Sequence, residues 1–362
     1  MKKTIAVLAG DGIGPEIMSE AIKVLLKIAE CFGHEFILDN ALIGGAAWEK
    51  HGKHFPEETK KICEASNAIL FGSVGGPIQE QGSAKWRDCE RNSILQLRKH
   101  FCFQTNLRPS KVYPALAHSC VLRPEIIKNG VDILCVRELS GDIYFGEHLQ
   151  EVIDGVRTAR DVMTYDAQTI ADITHVAFQA ARMRNKKVTS VDKANVLACS
   201  QLWREVVIEV AKEYPDCQLE HLLVDNCAMQ LIRSPSAFDV LLMPNMFGDI
   251  LSDEVSILAG SLGMLPSASL NKHGFGLYEP SSGSAPDIAG KGIANPIGQI
   301  LSAAMMLEYS FHLTQEAAAI YQAVEKSLTQ GFRTLDITTS ADQLRPLSTS
   351  EMGDVIIKNL IS

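Results

Sequence analysis

The sequence predicts an α/β protein divided into two domains. Three observations carry this expectation. The chain has 362 residues, beyond the size at which one hydrophobic core stops growing. Its hydrophobic fraction of 46% and charged fraction of 21% are those of an ordinary globular protein. Apolar runs of strand length alternate with longer stretches of helical period, the pattern of strands joined through helices.

Residues 4–8 read as a buried strand. They follow Met1-Lys2-Lys3 and look superficially like a signal peptide. The apolar run is too short for an h-region, however, and Gly10-Asp11-Gly12 interrupts it. Residues 15–31 read as a helix, 35–38 as a second strand, and 68–71 as a third, ended by Gly72. After Leu107-Arg108-Pro109 strand character rises, at residues 131–136, 143–145, 188–191, 222–224 and 240–243. From Gly260 to Pro296 the chain is rich in Gly, Pro and Ser, and long loops inside a compact domain are usually functional. Residues 297–309, 315–330 and 351–361 read as closing helices. No apolar run of about 18 residues occurs, so no transmembrane helix is expected.

The formal net charge of −9 argues against nucleic acid or an anionic membrane as partner. An anionic substrate must then be captured by local arginines. Nine cysteines are scattered with no Cys-x-x-Cys pair, which argues against a zinc site or a redox motif. Reduced thiols in a cytosol are the simplest reading.

Asp249 and Asp253 stand four residues apart within residues 245–254. In a helix both carboxylates point from one face, with Cβ atoms roughly 5–6 Å apart. Leu251, Val255 and Leu258 then form an apolar stripe on about the opposite side. The pair is either a solvated acidic face or two oxygen ligands for a hard divalent cation, which would remove their repulsion.

Gly10-Asp11-Gly12-Ile13-Gly14-Pro15-Glu16 joins a strand to a helix and invites a dinucleotide-fingerprint reading. The glycines fall at every second position and Pro15 occupies the first helical turn, so a tight turn near a ligand fits better. Arg98, Arg108 and Arg137 are candidate carboxylate ligands, because guanidinium groups bind carboxylates bidentately. One arginine at a strand end is commonly structural; three could hold a dicarboxylate. Tyr144 is explained equally by alternation on a short strand. Lys193 is either a solvated lysine at a turn or, beside a metal ion, a base pushed towards its neutral form. Asp225 follows an apolar run and is a candidate third metal carboxylate.

Seven segments in order, residues 10–16, 106–109, 136–139, 192–197, 225–226, 245–254 and 283–296, resemble the β-decarboxylating dehydrogenases. The resemblance covers nearly the whole chain. It implies the isocitrate/isopropylmalate dehydrogenase-like fold, an open α/β/α sheet of about ten strands in two domains, not a Rossmann fold. Domain one would hold residues 1–103 and 262–362, with both termini and the cofactor. Domain two would hold residues 104–261, with a dimerisation arm and the metal and catalytic residues. The active site would lie in the cleft between them. In such enzymes each site takes a lysine and an aspartate from the partner subunit of a homodimer, here Lys193 and Asp225. Asp249 and Asp253 would come from the site's own subunit.

By the same resemblance Asp225, Asp249 and Asp253 would bind magnesium or manganese, and Asp225 would also touch the substrate. Lys193 would be the base for a C2 hydroxyl, and Tyr144 the acid that protonates the enolate left by decarboxylation. Arg98, Arg108 and Arg137 would hold the substrate carboxylates. NAD would bind through Gly283, Ser284, Ala285, Pro286, Asp287, Ile288 and Asn295, with Glu279 and His273 contributing. Asp287 would accept the ribose hydroxyls and repel a 2′-phosphate, favouring NAD over NADP. Ser281-Ser282 stand where many relatives carry Val-His. Ile94 and Leu95 would offer an apolar surface to a branched substituent, worth about 2 kcal/mol. The expected substrate is therefore 3-isopropylmalate, used in leucine biosynthesis in the cytoplasm; tartrate, D-malate and homoisocitrate are the alternatives on this scaffold.

Overall fold

The computed structural model describes residues 1–340, 342 and 344–361, the last through its backbone only. Twelve strands occur among these residues: β1 (Lys2–Gly10), β2 (Glu35–Asn40), β3 (Ala68–Ser73), β4 (Thr105–Lys111), β5 (Asp132–Glu138), β6 (His148–Ile153), β7 (Val156–Asp161), β8 (Lys187–Asp192), β9 (Gln218–Leu223), β10 (Val240–Met243), β11 (Pro266–Leu270) and β12 (Gly276–Pro280). The chain forms two compact units. The first comprises Met1–Cys102, Tyr113–Cys120 and Ala259–Ser362; the second comprises Phe103–Val112 and Val121–Leu258. No helix among the described residues is long and apolar enough to cross a membrane.

The first unit is built on five strands in the order β2-β1-β3-β12-β11. All neighbouring pairs are parallel except β11 with β12. Every residue of β3 is buried, as expected of a parallel strand covered on both faces. The helix Ile297–Tyr309 is buried at every position from Ile297 to Leu307, so it is a core helix rather than an amphipathic surface one. The helix Gly14–Phe32 carries Pro15 in its first turn and buries Ile17, Met18, Ala21, Val24, Leu25 and Ile28. Proline is tolerated there because that N–H has no helical partner.

Residues 266–280 read as loop from composition but form the β11–β12 hairpin. Pro266-Ser-Ala-Ser-Leu270 lacks the β-branched residues that mark strands. Its extended form comes from pairing with β12, which in turn lies parallel to β3. Strand propensity is largely such packing context.

The second unit is also built on five strands, in the order β4-β5-β10-β8-β9. Here β4 runs antiparallel to β5 and the rest are parallel. A separate hairpin, β6–β7, turns through Asp154 and Gly155, both at positive φ, the requirement of a type I′ turn. Its strands are almost wholly exposed, including Val152, Ile153 and Val156.

One local expectation fails in this unit and another holds only in part. Residues 143–145 form a turn, not a strand; Asp142 sits at φ 75° and the chain reverses there. The run 222–224 ends as a strand at Leu223, and Val224 opens the helix Val224–Arg233.

Candidate active site

The β4–β5 register sets the centre of the second unit. Asn106 lies opposite Arg137, and Arg108 follows Asn106 by two residues. Side chains two apart on a strand share a face, and directly opposed residues share it too. Asn106, Arg108 and Arg137 therefore project together towards the helix Asn245–Leu258. That helix buries Leu251, Val255 and Leu258 and turns Asp249 and Asp253 towards the arginines.

Arg137 is 3% exposed. Its Nε and Nη2 donate to Asn245 Oδ1 at 3.1 and 2.8 Å, and its Nη1 donates to Asp249 Oδ1. Gly248 makes this possible: a Cβ there would stand 2.6 Å from Arg137 Cγ. Glycine inside a helix costs about 1 kcal/mol, and here it opens the path for the guanidinium. Arg108 Nη1 donates to Asp253 Oδ1 at 3.0 Å and Ser252 Oγ at 2.9 Å, while its Nε donates to Asn106 Oδ1 at 2.8 Å. Its Nη2 stands 3.9 Å from Asp249 Oδ1. Tyr144 donates its hydroxyl to Asp249 Oδ2 at 2.9 Å, and its ring lies 5.8 Å from the Arg137 guanidinium carbon. Partial burial, then the Asp249 charge and hydrogen bond, hold the Tyr144 phenol above its ordinary pKa. It thus keeps its proton.

A buried scaffold holds the start of this helix. Glu138 accepts from Ser140, Gly141 N and Tyr165 OH. Tyr165 OH in turn accepts from Asn245 N, and Asp142 Oδ2 accepts from Met246 N. Two amides of the first turn, which have no partner within the helix, are thereby satisfied. Burial raises the Glu138 carboxyl above its usual range.

Lys193 and Asp225 form a second constellation. Lys193 Nζ donates to Asp225 Oδ1 at 2.5 Å, and that hydrogen bond holds the Asp225 carboxyl below its ordinary value. Lys193 follows the end of β8, and Asp225 lies in the first turn of Val224–Arg233. Among the described residues no three His, Cys, Asp or Glu side chains come together closely enough to hold a metal ion. Within one chain, then, the structure groups Asp249, Asp253, Arg108, Arg137 and Tyr144, and it does not bring Asp225 into a three-carboxylate set with the two helix aspartates.

The donor chemistry of Asp249 and Asp253 suits magnesium or manganese, since both ions prefer carboxylate oxygen. The two acids lie one turn apart, and guanidinium groups now occupy oxygens of both. Asp253 keeps Oδ2 without a hydrogen bond among the described residues, on a side chain 71% exposed.

In the first unit Arg98 donates from Nη2 to Glu279 Oε1 at 3.0 Å. Two residues given different roles by the sequence thus form one ion pair. Ile94 is buried, whereas Leu95 is 41% exposed, so only Leu95 offers apolar surface. The loop after β12 carries Gly283 and Ala285 at positive φ, and Asp287 is exposed. Asp287 makes no hydrogen bond among the described residues, which leaves its carboxylate free to accept ribose hydroxyls; the loop fits a nucleotide. Asn295 is buried and engaged: Oδ1 accepts from Ile297 N at 3.0 Å, and Nδ2 donates to Asp336 Oδ2 at 3.1 Å. His273 lies in the turn before β12, whereas Gly283 follows the strand's other end. A strand of five residues spans roughly 16 Å, so His273 is not brought to that loop. Sequence reading missed Asn106, Asn245 and Ser252. The spacing of Asn245 and Asp249, one helical turn, is the signal that could have found Asn245.

The Isocitrate/isopropylmalate dehydrogenase family model matches residues 4–356. The 3-isopropylmalate dehydrogenase of Haemophilus influenzae (strain ATCC 51907 / DSM 11121 / KW20 / Rd) is 56% identical over 359 residues, covering 97% of this chain and 98% of that protein. The 3-isopropylmalate dehydrogenase of Desulfotalea psychrophila is 54% identical, covering 99% and 100%. Among solved structures, isocitrate dehydrogenase from Methylococcus capsulatus superposes with a TM-score of 0.86 at 32% identity, covering 99% of this chain and 100% of that one. A β-decarboxylating dehydrogenase from Thermococcus kodakarensis gives a TM-score of 0.79 at 33% identity, covering 99% and 96%.

Proposed function

The chain belongs to the isocitrate/isopropylmalate dehydrogenase family, and from that premise we propose that it oxidises and decarboxylates (2R,3S)-3-isopropylmalate with NAD. The products are 4-methyl-2-oxopentanoate, carbon dioxide and NADH, a step of leucine biosynthesis. It is an NAD-dependent β-decarboxylating dehydrogenase that uses magnesium or manganese. The observation that carries this reading is identity above one half, over nearly full length, to several proteins of that activity.

In this reading the first unit binds the dinucleotide through Gly283, Ser284, Ala285, Pro286, Asp287, Ile288 and Asn295. The second unit supplies the metal carboxylates and the acid–base groups. Arg98, Arg108 and Arg137 are ligands of the substrate carboxylates. Asp249 and Asp253 hold the metal with Asp225 of the partner subunit. When bound, the metal ion would supply Lewis-acid polarisation of the substrate oxygens, and the nicotinamide would supply the acceptor for the C2 hydride. Lys193 takes the proton of the C2 hydroxyl. The Tyr144 phenol, protonated and aimed at Asp249, gives its proton to the enolate carbon after carbon dioxide departs.

The working molecule is a cytoplasmic homodimer with shared sites. Two features support this. Lys193 and Asp225 pair with each other instead of joining the helix aspartates. The β6–β7 hairpin exposes apolar residues, and a two-stranded hairpin alone is marginal in water.

The test is NADH formation from 3-isopropylmalate, D-malate, tartrate and homoisocitrate, with and without a chelator. The highest kcat/KM is expected for 3-isopropylmalate, abolished by the chelator and restored by magnesium or manganese. A higher value for another diacid would reject the substrate assignment.

A further inference from the structure

We propose that Glu16 is a positioning residue for the dinucleotide: it never touches NAD but fixes the loop that does. The inference rests on the reading of Asp287 and Asn295 as cofactor ligands. Glu16 lies in the first turn of Gly14–Phe32. Its Oε1 accepts from Gly290 N at 3.2 Å and its Oε2 from Gly292 N at 3.0 Å. Both glycines have positive φ, at 74° and 64°, so these amides face the carboxylate only in a backbone form that other residues resist.

The same short segment grips the loop three more ways. Ile13 N donates to Ser284 O at 2.9 Å. Gly12, at φ 59°, lets that carbonyl approach to where a Cβ would stand 1.9 Å from it. Ile13 and Ile17 pack with Ala294, and Ala285, Ile288 and Ala289 lie against them. Asp287 and Asn295 are thus enclosed between fixed points: Ser284 before them, Gly290 and Gly292 between, and Ala294 beside. The motif Gly10-Asp11-Gly12-Ile13-Gly14-Pro15-Glu16 is the seat of the nucleotide loop, not a phosphate cradle. A carboxylate is suited to this task because it accepts two amides at once, and its charge is favoured at a helix N-terminus.

The experiment measures NADH affinity by fluorescence on the full-length protein for Glu16→Ala, Glu16→Gln, Asp287→Ala and the double Glu16→Ala/Asp287→Ala variant. Amide hydrogen exchange of residues 284–292 is followed without cofactor, alongside KM for 3-isopropylmalate and thermal melting. Losing two hydrogen bonds to a charged acceptor should weaken NADH binding roughly tenfold in Glu16→Ala. Exchange of the loop amides should quicken, with melting temperature and substrate KM nearly unchanged. Glu16→Gln keeps one acceptor and should recover part of the affinity. The double variant should bind no worse than the weaker single variant, because Glu16 acts through the placement of Asp287. Additive losses would overturn the inference, as would a rise in substrate KM together with a fall in melting temperature and NADH affinity. If Asp287→Ala weakens binding and Glu16→Ala does not, the positioning role fails while the nucleotide site stands. If neither changes affinity, the reading of the loop as the nucleotide site fails first and takes the inference with it.

Discussion

In the unit built on β5, charged and polar side chains satisfy one another: Arg137 and Tyr144 on Asp249, Arg108 on Asp253. In the unit built on β1, the loop from Gly283 to Asn295 is held mainly through its backbone. Its carbonyl at Ser284 and its amides at Gly290 and Gly292 are the anchored atoms. Asp287 is left exposed. The first region has its charges committed before substrate arrives, so deleting one exposes another. The second leaves Asp287, the proposed ribose acceptor, free and stores its order in backbone geometry. Substitutions should accordingly strike turnover in the first region and affinity in the second.

The largest effect should come from Asp249→Ala. In the proposed reading it removes a metal carboxylate, and it takes away the partner of a buried arginine, so kcat/KM should fall on the order of a thousandfold or more. The melting temperature should fall as well, because Arg137 loses its acidic partner. A loss of less than tenfold would break the contrast, since it would make the cluster structural only.

Tyr144→Phe should come next. Removing one acid typically costs 10²–10⁴-fold. The loss should fall on decarboxylation, measured from the 2-oxo acid intermediate, more than on alcohol oxidation, because only the former ends with protonation of an enolate. Equal losses in both half-reactions would show that Tyr144 merely orients Asp249.

A smaller effect, confined to cofactor preference, is expected from Asp287→Lys with Ile288→Tyr. Replacing a repelling carboxylate with a cation should move the NAD/NADP ratio of kcat/KM by roughly a hundredfold. An unchanged ratio would show that the ribose is read elsewhere.

The same contrast explains what the sequence disclosed. Helical pitch ties residues four apart to one face, so Asp249 and Asp253 and the apolar positions Leu251, Val255 and Leu258 were legible. Parallel strands such as β3 were legible as continuous apolar runs. Partners that depend on strand register were not. Asn106 shares a face with Arg108 by strand alternation, but it faces Arg137 only because β4 and β5 align as they do. The β11–β12 hairpin was hidden because its strand character comes from neighbours, and His273, placed with the loop by the family resemblance, lies at the opposite end of β12 from it. Ile94 looked like a specificity residue but is buried, leaving Leu95 at the surface. The grip of Glu16 on Gly290 and Gly292 could not be foreseen, because backbone amides leave no trace in side-chain pattern.

The central claim is that each functional site combines Asp249 and Asp253 of one subunit with Lys193 and Asp225 of another. It is tested most directly by refolding Lys193→Ala together with Asp249→Ala, each nearly inactive alone. In a two-fold symmetric dimer half the molecules would pair one of each, and one site in each such molecule would be intact, giving about a quarter of wild-type activity. No recovery from a mixture shown to contain mixed dimers would contradict a shared site.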